Sequence, residues 1–365
     1  MTYFRFRYPN HSLVPLSAKQ KSILHAMQRD IQSKEMKFVP TFCPCESGSE
    51  VTLSEVDCLG VYLRYVICKR CGIIRANPYM DAESLKIFYE KYYETLYHYG
   101  PDTNPLARDL DDEFEESVKY AKTHTLPFVN LDKGKNILMI GGRCGGRLYP
   151  FLENGNKCTV VDFDIASIEY AKKQGLAAFS GDYKEIKFDC LFDLIICDHS
   201  LEHFLDIKAE LTNLSKLLDI KGRLLLSVPD GSKLHTLHNF ADSRMEFRLC
   251  HNYLFSKRSF TNLLKKFGFS LIKSSYIAHP MNLVCVFEKN GNIESTGNKN
   301  TLRDRGAYKD QIKSFIKAEL LFGLYQLIQF RRLKEKFGPR LKNNPIIFKL
   351  YRALFFKKVN MSPPS

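Results

Sequence analysis

An α/β protein built on an open, mostly parallel sheet is what the sequence predicts, and three stretches predict it. The first is Lys135 to Leu152, KNILMIGGRCGGRLYPFL, in which the apolar run Ile137, Leu138, Met139, Ile140 stops at Gly141-Gly142 and turns through Arg143 and Cys144. After Gly145-Gly146 the chain restarts with Leu148, Phe151 and Leu152 at helical spacing, so the order is strand, glycine turn, helix. The second is Lys157 to Val161, a buried strand followed by Asp162. The third is the helix Ile165 to Lys173 and the strand Ala177 to Ser180, closed by Gly181-Asp182. Strands that alternate with helices in this way pair in parallel.

The glycine turn carries the first chemical expectation. It brings bare backbone to a helix N-terminus, where unpaired N–H groups favour negative charge, so a nucleotide-like ligand is expected, although such turns also serve tight packing alone. Asp162 stands about twenty residues after Gly141, where a carboxylate can accept hydrogen bonds from both ribose hydroxyls.

The totals set bounds. A chain of 365 residues accommodates two domains, or one core domain with additions. Its formal charge of +14 is concentrated in residues 301–358, which hold fifteen basic side chains against four acids (Asp304, Asp310, Glu319, Glu335), so a basic catalytic groove is not implied. No apolar run approaches the roughly eighteen residues of a membrane span and the first residues lack a signal-peptide core, so a cytoplasmic protein is expected. Eleven cysteines are an odd number, and Cys144, Cys158, Cys190, Cys197, Cys250 and Cys285 lie singly in or beside expected core elements, as reduced buried thiols would.

Residues 1–42 form an extension with one helix from Ser17 to Lys34, carrying Ile23, Leu24, Met27 and Ile31 on one side. Then come Cys43-Pro-Cys45 and, after a hairpin-like interval, Cys68-Lys-Arg-Cys71-Gly72. Two close pairs supply four thiolates for a tetrahedral ion, so residues 43–76 are expected to be a structural zinc ribbon with Cys43, Cys45, Cys68 and Cys71 as ligands. Cys58 lies between the pairs as a substitute ligand, and a set of reduced core cysteines is the alternative. Residues 77–131 read as a helical connector: Asp81 caps a helix with Leu85, Phe88, Tyr89, Tyr92 and Tyr93, Pro101 to Pro105 is a linker, and a further helix spans Asp111 to Lys122.

Beyond the third strand, residues 132–290 supply four more: Leu191 to Cys197, Arg223 to Val228, Ser270 to Tyr276 and Leu283 to Glu288. The end of the fourth, Asp198, His199, Ser200, Glu202 and His203, should face a ligand, because ligands of open α/β sheets lie outside the carboxyl ends of the strands. His199 is the first candidate for a general base, since neutral imidazole can take a proton near neutral pH. His235, His238 and His251 follow in a long loop where substrate contacts are expected. Asn290 to Asn298 is a flexible exit, and residues 301–358 form a basic amphipathic tail of two helical stretches, the second after Pro345. Residues 308–356 would suit a peripheral membrane or protein contact, at the inner membrane face in the first case, or else pack on the chain's own domains.

The phrases VVDFDIASIEYAKKQGL, SGDYKEI and FDLIICDHSLEHFLD resemble the second-, third- and fourth-strand segments of class I S-adenosylmethionine-dependent methyltransferases. The run CKRCGIIRANPYMDAESLKIFYEKYYETLY resembles the cysteine-paired head found on such enzymes of surface-polysaccharide and antibiotic-sugar gene clusters, and the resemblance spans roughly residues 43 to 288. It implies a Rossmann-like seven-stranded methyltransferase domain with a small N-terminal zinc ribbon and a helical C-terminal extension. By it Gly141, Gly142 and Gly145 line the methionine side of S-adenosyl-L-methionine, Asp162 holds the ribose and Asp182 meets the adenine amino group. Phe163, Tyr183, Asp198 and His199 complete the implied cofactor pocket. Two positions depart from the pattern. Met139 stands where an acid is usual, and Arg143 replaces the middle glycine, either crowding the cofactor or reaching outward.

HNYLFSKRSFTNLLKKFGF resembles the family's stretch in which a histidine precedes the helix to the last strands, which makes His251 the second candidate base. A metal held by Glu202, His199 and His203, as in some RNA-terminal methyltransferases, is a lesser alternative. The resemblance implies methyl transfer to a carbohydrate, either a nucleotide-linked sugar or a glycan. A nucleic-acid methyltransferase gripping through ribbon and tail, or a non-catalytic scaffold with a degenerate cofactor site, are the alternatives.

Overall fold

The computed structural model describes residues 12, 15–98, 109–129, 132–236, 243–290 and 304–337, with side chains except at 98, 243–244 and 322–337. The N-terminal stretch 1–11, the linker Pro101–Pro105, His238, the exit beyond Asn290 and the second tail element lie outside the described residues.

Helix α1 (Ala18–Gln32) starts where the Ser17 hydroxyl and the Gln20 side chain satisfy each other's backbone N–H groups. A short strand β1 (Phe38–Val39) leads to the cysteine-rich head, formed by β2 (Glu50–Val56), β3 (Tyr62–Cys68) and β4 (Ile74–Ala76). Strand β5 (Tyr79–Met80) pairs back on β1, and α2 (Ala82–Ile87) begins at Asp81, whose carboxylate accepts from the Ser84 N–H. A π-helical stretch continues through Phe88–His98, with Phe88, Tyr92 and Leu96 buried at a four-residue spacing. The connector ends in α3 (Leu110–Tyr120), capped by Asp109, and α4 (Leu126–Val129).

From there strands and helices alternate: β6 (Asn136–Ile140), α5 (Tyr149–Glu153), β7 (Lys157–Asp162), α6 (Ile165–Lys173), β8 (Ala177–Ser180), β9 (Phe192–Asp198), α7 (Ile207–Leu217) and β10 (Leu218–Pro229). After the two-residue strand β11 (Tyr253–Leu254) come α8 (Lys257–Lys266), β12 (Phe269–Tyr276), β13 (Asn282–Lys289) and α9 (Arg305–Phe337). The main sheet has the order β12-β13-β10-β9-β6-β7-β8. Strands β10, β9, β6, β7 and β8 run parallel, while β13 is antiparallel to both neighbours. The strand order reverses at β6, so the crevice at its carboxyl end is the ligand position expected of such a sheet.

Alternation along the strands fills both faces. Leu138, Ile140, Ile195, Cys197, Leu224 and Leu226 pack on one side, and Ile137, Met139, Leu194, Ile196 and Leu225 on the other. The head is not set apart from this core. Its sheet, ordered β11-β4-β3-β2, takes its edge strand from the loop beyond β10, and its four clustered cysteines pack in the same apolar cluster as one face of the main sheet. Two sequence expectations are corrected here. Cys58 is buried in the second core, with Leu53, Val61 and Phe247, and does not join the other head cysteines. Cys190, expected in the core, is exposed because it lies in the turn before β9.

Candidate active site and metal centre

The turn after β6 is shaped by close approach. Gly141, at φ +71°, has no room for a side chain, since a Cβ there would stand 2.4 Å from the Ser200 Oγ. At Gly142 a Cβ would meet Val160 and Met139, so Met139, which replaces an acid, packs under the turn. Gly145, at φ +76°, would drive a Cβ into Leu176. Arg143 has φ 49°, and its guanidinium reaches to Glu113 on α3 (Nε to Oε1 2.7 Å) and Glu94 in the π-helical stretch (3.7 Å). Of the two alternatives for Arg143, the structure has it reaching to the connector helices.

Asp162 ends β7 and accepts the Arg143 N–H at 2.8 Å and the Asp164 N–H at 3.0 Å, one on each carboxylate oxygen. Burial pushes its pKa up, against those two N–H groups and the Arg143 charge, which pull it down. Phe163 beside it is 67% exposed. Asp162 pairs in register with Ser180, two residues before Asp182, so both acids stand on one edge of the sheet. Asp182 caps the following turn and lies 3.3 Å from the Lys184 Nζ. Tyr183 is not brought to that edge: its ring is buried in the core and its hydroxyl donates to Glu210. Asp198 is tied to the Arg147 guanidinium and the Ser227 hydroxyl.

At the carboxyl ends of β9 and β10 lies a cavity of about 340 Å³, lined by Tyr93, Tyr97, His199, Glu202, His203 and His251 among others. Ser200 bonds to the Ile140 carbonyl at 3.2 Å, fastening this segment to the base of the glycine turn. His199 Nδ1 lies 3.2 Å from Glu202 Oε1. Burial lowers the His199 pKa, but the Glu202 hydrogen bond and the charges of Glu202 and Asp198 outweigh it and raise it to about 9. His251 goes the other way, held well below the usual histidine value by burial and by the neighbouring His203 and Arg248.

The sequence brought His199 and His251 forward separately, and the fold sets both in one cavity. Tyr93, Tyr97, Arg248, His279 and Asn282 also line it and were not singled out as contacts. For the two tyrosines the four-residue spacing of Tyr89, Tyr93 and Tyr97 was the one sequence signal; Arg248, His279 and Asn282 had none. His235, expected among substrate contacts, instead bonds to Ser314 on α9 at 3.1 Å. Tyr253 is buried, with its hydroxyl on the Leu205 carbonyl.

In the head, the Sγ atoms of Cys43 and Cys45, Cys43 and Cys71, and Cys45 and Cys68 stand 3.3, 3.4 and 3.5 Å apart, and all four lie within 4.8 Å of one another. A tetrahedral ion with Zn–S near 2.3 Å places sulfurs about 3.8 Å apart, so the four thiols fit one metal with a few tenths of an ångström of relaxation. The Arg70 N–H donates to the Cys68 Sγ at 3.4 Å, and Gly72 takes φ +75° in the turn that makes this possible.

Residues 112–274 match the sequence profile of a family described as "Methyltransferase domain". This stretch is a methyltransferase domain. It begins in α3 and runs to β12, so the glycine turn, Asp162, Asp182 and the cavity residues His199, His203 and His251 fall inside it, while His279 lies beyond it. No curated protein matches the chain. Among solved structures, the chain is similar to 1,6-didemethyltoxoflavin-N1-methyltransferase of Burkholderia thailandensis, with bound 1,6-didemethyltoxoflavin and S-adenosylhomocysteine (18% identity, TM-score 0.44, 60% of this chain and 96% of that one). It is also similar to the N-methyltransferase NodS of Bradyrhizobium japonicum (17%, 0.38, 50% and 94%). A third is a putative S-adenosylmethionine-dependent methyltransferase of Listeria monocytogenes (14%, 0.39, 47% and 99%). The assignment of the methyltransferase domain rests on the profile and not on these likenesses.

Proposed function

We propose that the protein transfers a methyl group from S-adenosyl-L-methionine to a carbohydrate, a nucleotide-linked sugar or a glycan, bound in the cavity beside His199. The observation that carries this reading is the adjacency of two sites on one sheet edge: the glycine turn with Asp162, and the cavity, joined through Ser200. The residues present fit the donor. Each Asp162 oxygen spends one lone pair on a backbone N–H and has another for a ribose hydroxyl, and the exposed Phe163 ring offers a face to a purine. Asp182 on the adjoining strand end is set for the adenine amino group.

When bound, the sulfonium supplies an electrophilic methyl. The chain's own task is to bring the acceptor into line, exclude water and take its proton. Glu202 receives the His199 Nδ1–H, which fixes the tautomer with Nε2 as the accepting atom. The cationic sulfonium opposes charge on that imidazole and so favours its neutral form. Tyr93 and Tyr97 give the cavity the aromatic wall on which a sugar ring packs. The carbohydrate assignment draws on the resemblance of the cysteine-paired head. A zinc ion held by Cys43, Cys45, Cys68 and Cys71 leaves no open position for substrate, so its role is structural.

The direct test is thermal unfolding of the full chain with S-adenosylmethionine, S-adenosylhomocysteine or NAD. A rise of several degrees with the first two and none with NAD is expected; a folded protein that neither compound stabilises refutes the reading. Methyl transfer from labelled donor to a panel of nucleotide sugars, glycans and RNA then tests the acceptor class.

A further inference from the structure

Behind His199 the cavity holds a second cluster, of which the proton-transfer role uses only one oxygen of Glu202. Ligand atoms of Glu202, His203 and His251 lie within 4.8 Å of one another, two on adjacent residues and the third brought in from the loop beyond β10. Glu202 is 0% exposed; its Oε1 is taken by His199, and its Oε2 has no hydrogen-bond partner among the described residues. A buried carboxylate oxygen without a donor is costly, and in a native site it calls for a partner. Both imidazoles are held by their other nitrogen. His203 Nδ1 is 2.6 Å from the Tyr89 hydroxyl. His251 Nδ1 lies 3.4 Å from the Glu246 carbonyl, an acceptor only, which puts the proton on Nδ1 and the lone pair on Nε2. Histidines that ligate metals are oriented this way, with the remote nitrogen bonded to an oxygen.

We infer that Glu202 Oε2 and the Nε2 atoms of His203 and His251 bind a divalent first-row transition cation in the methyl-acceptor cavity. Two imidazoles and one carboxylate suit manganese, iron, cobalt, nickel or zinc better than magnesium or calcium, which prefer all-oxygen shells. Three protein ligands leave positions open toward the cavity, where an acceptor oxygen can coordinate and become more acidic. That role rests on the methyltransferase reading; the binding of the cation does not. The site also differs from the alternative weighed from sequence, because His199 is engaged with Glu202 and His251 takes the third place.

The test uses the full chain carrying one zinc per molecule in the four-cysteine centre, titrated with cobalt(II). The expected result is one additional equivalent, with ligand-field absorption but no thiolate-to-cobalt charge-transfer band. Glu202→Gln and His251→Ala are each expected to abolish it, and Tyr89→Phe to weaken it by about tenfold, as loss of an orienting partner does. Because Glu202 and His251 are buried, unfolding of the variants is checked by their melting curves. If they do not fold, X-ray absorption at the cobalt edge of the unmodified protein decides between an imidazole shell, which is expected, and sulfur or oxygen alone, which overturns the site. No second equivalent, or one that survives both substitutions in folded protein, also overturns it. Stabilisation by S-adenosylmethionine, measured separately, distinguishes failure of this site from failure of the methyltransferase reading.

Discussion

At Arg143 two opposing energies meet on one residue. Its backbone sits at φ 49°, where a side chain costs about 1 kcal/mol relative to glycine, and its guanidinium gains a part-exposed ion pair with Glu113 worth at most about 1 kcal/mol. The two offset, so Arg143→Gly is expected to move the melting temperature by no more than about 4 °C and the affinity for S-adenosylhomocysteine by no more than about threefold. If the residue instead blocks the site, the substitution creates binding where there was none. Asp162 has no such offset. Its carboxylate holds both N–H groups of the turn and, by the proposed reading, the ribose, so Asp162→Ala is expected to raise the dissociation constant at least tenfold in calorimetric titration. Met139 and Arg143 were visible as departures in the sequence. Their consequence was not, because it depends on Glu113 and Glu94, whose approach is set by tertiary packing.

Among the elements, the turn between β2 and β3 hangs on Asp57. Its Oδ1 accepts the Leu59 N–H at 2.9 Å and the Val61 N–H at 2.8 Å, while its Oδ2 is buried without a partner among the described residues. Burial pushes its pKa up to about 7, outweighing the backbone donors that pull it down. An unfolded aspartate ionises near pH 3.9, so between about pH 4 and about pH 7 the unfolded chain releases a proton that the folded chain keeps. Stability carried by this group is therefore full below about pH 4 and declines as pH rises through about 7. Asp57→Asn retains the carbonyl acceptor and cannot ionise, so the fall in denaturation midpoint between about pH 5 and about pH 8 should be smaller in the variant. An equal fall would contradict the assignment. The strands of the main sheet were legible because each is a continuous apolar run: Leu191 to Cys197 in the sequence is Phe192–Asp198 in the fold. Strand β11 was not, since two residues carry no period and acquire their pairing only from β4. That pairing ties head to domain. Cys71→Ser is expected to lower the melting temperature by roughly 10 °C or more in a single calorimetric transition, whereas two separate transitions would show an independent head.

Over the whole molecule, α9 joins parts that are distant in sequence. The Asp304 N–H just before it donates to the Arg70 carbonyl in the cysteine head, and its carboxylate pairs with Arg258 on α8. A Cβ on Gly72 would stand 2.5 Å from the backbone of Ala307, so helix and cysteine turn are in direct contact. Ala307, Gln311, Ser314, Phe315 and Ala318 form the buried stripe, and the Phe315 ring lies 6.3 Å from that of Phe247. The sequence offered this amphipathic face equally to a membrane and to the chain's own domains. In the described half of the helix the largest apolar side chain of the stripe is spent on internal packing, while Ile316 and Leu320 remain exposed at 41% and 67%. These two faces should answer differently to substitution. Phe315→Ala is expected to destabilise the fold by about 3 kcal/mol, the cost of a deleted buried ring, read as a lower denaturant midpoint with unchanged slope. Leu320→Ser should stay within about 0.5 kcal/mol. A tail that serves a membrane and leaves the fold alone would give the opposite order, with Phe315→Ala silent in solution and Leu320→Ser lowering affinity for anionic vesicles.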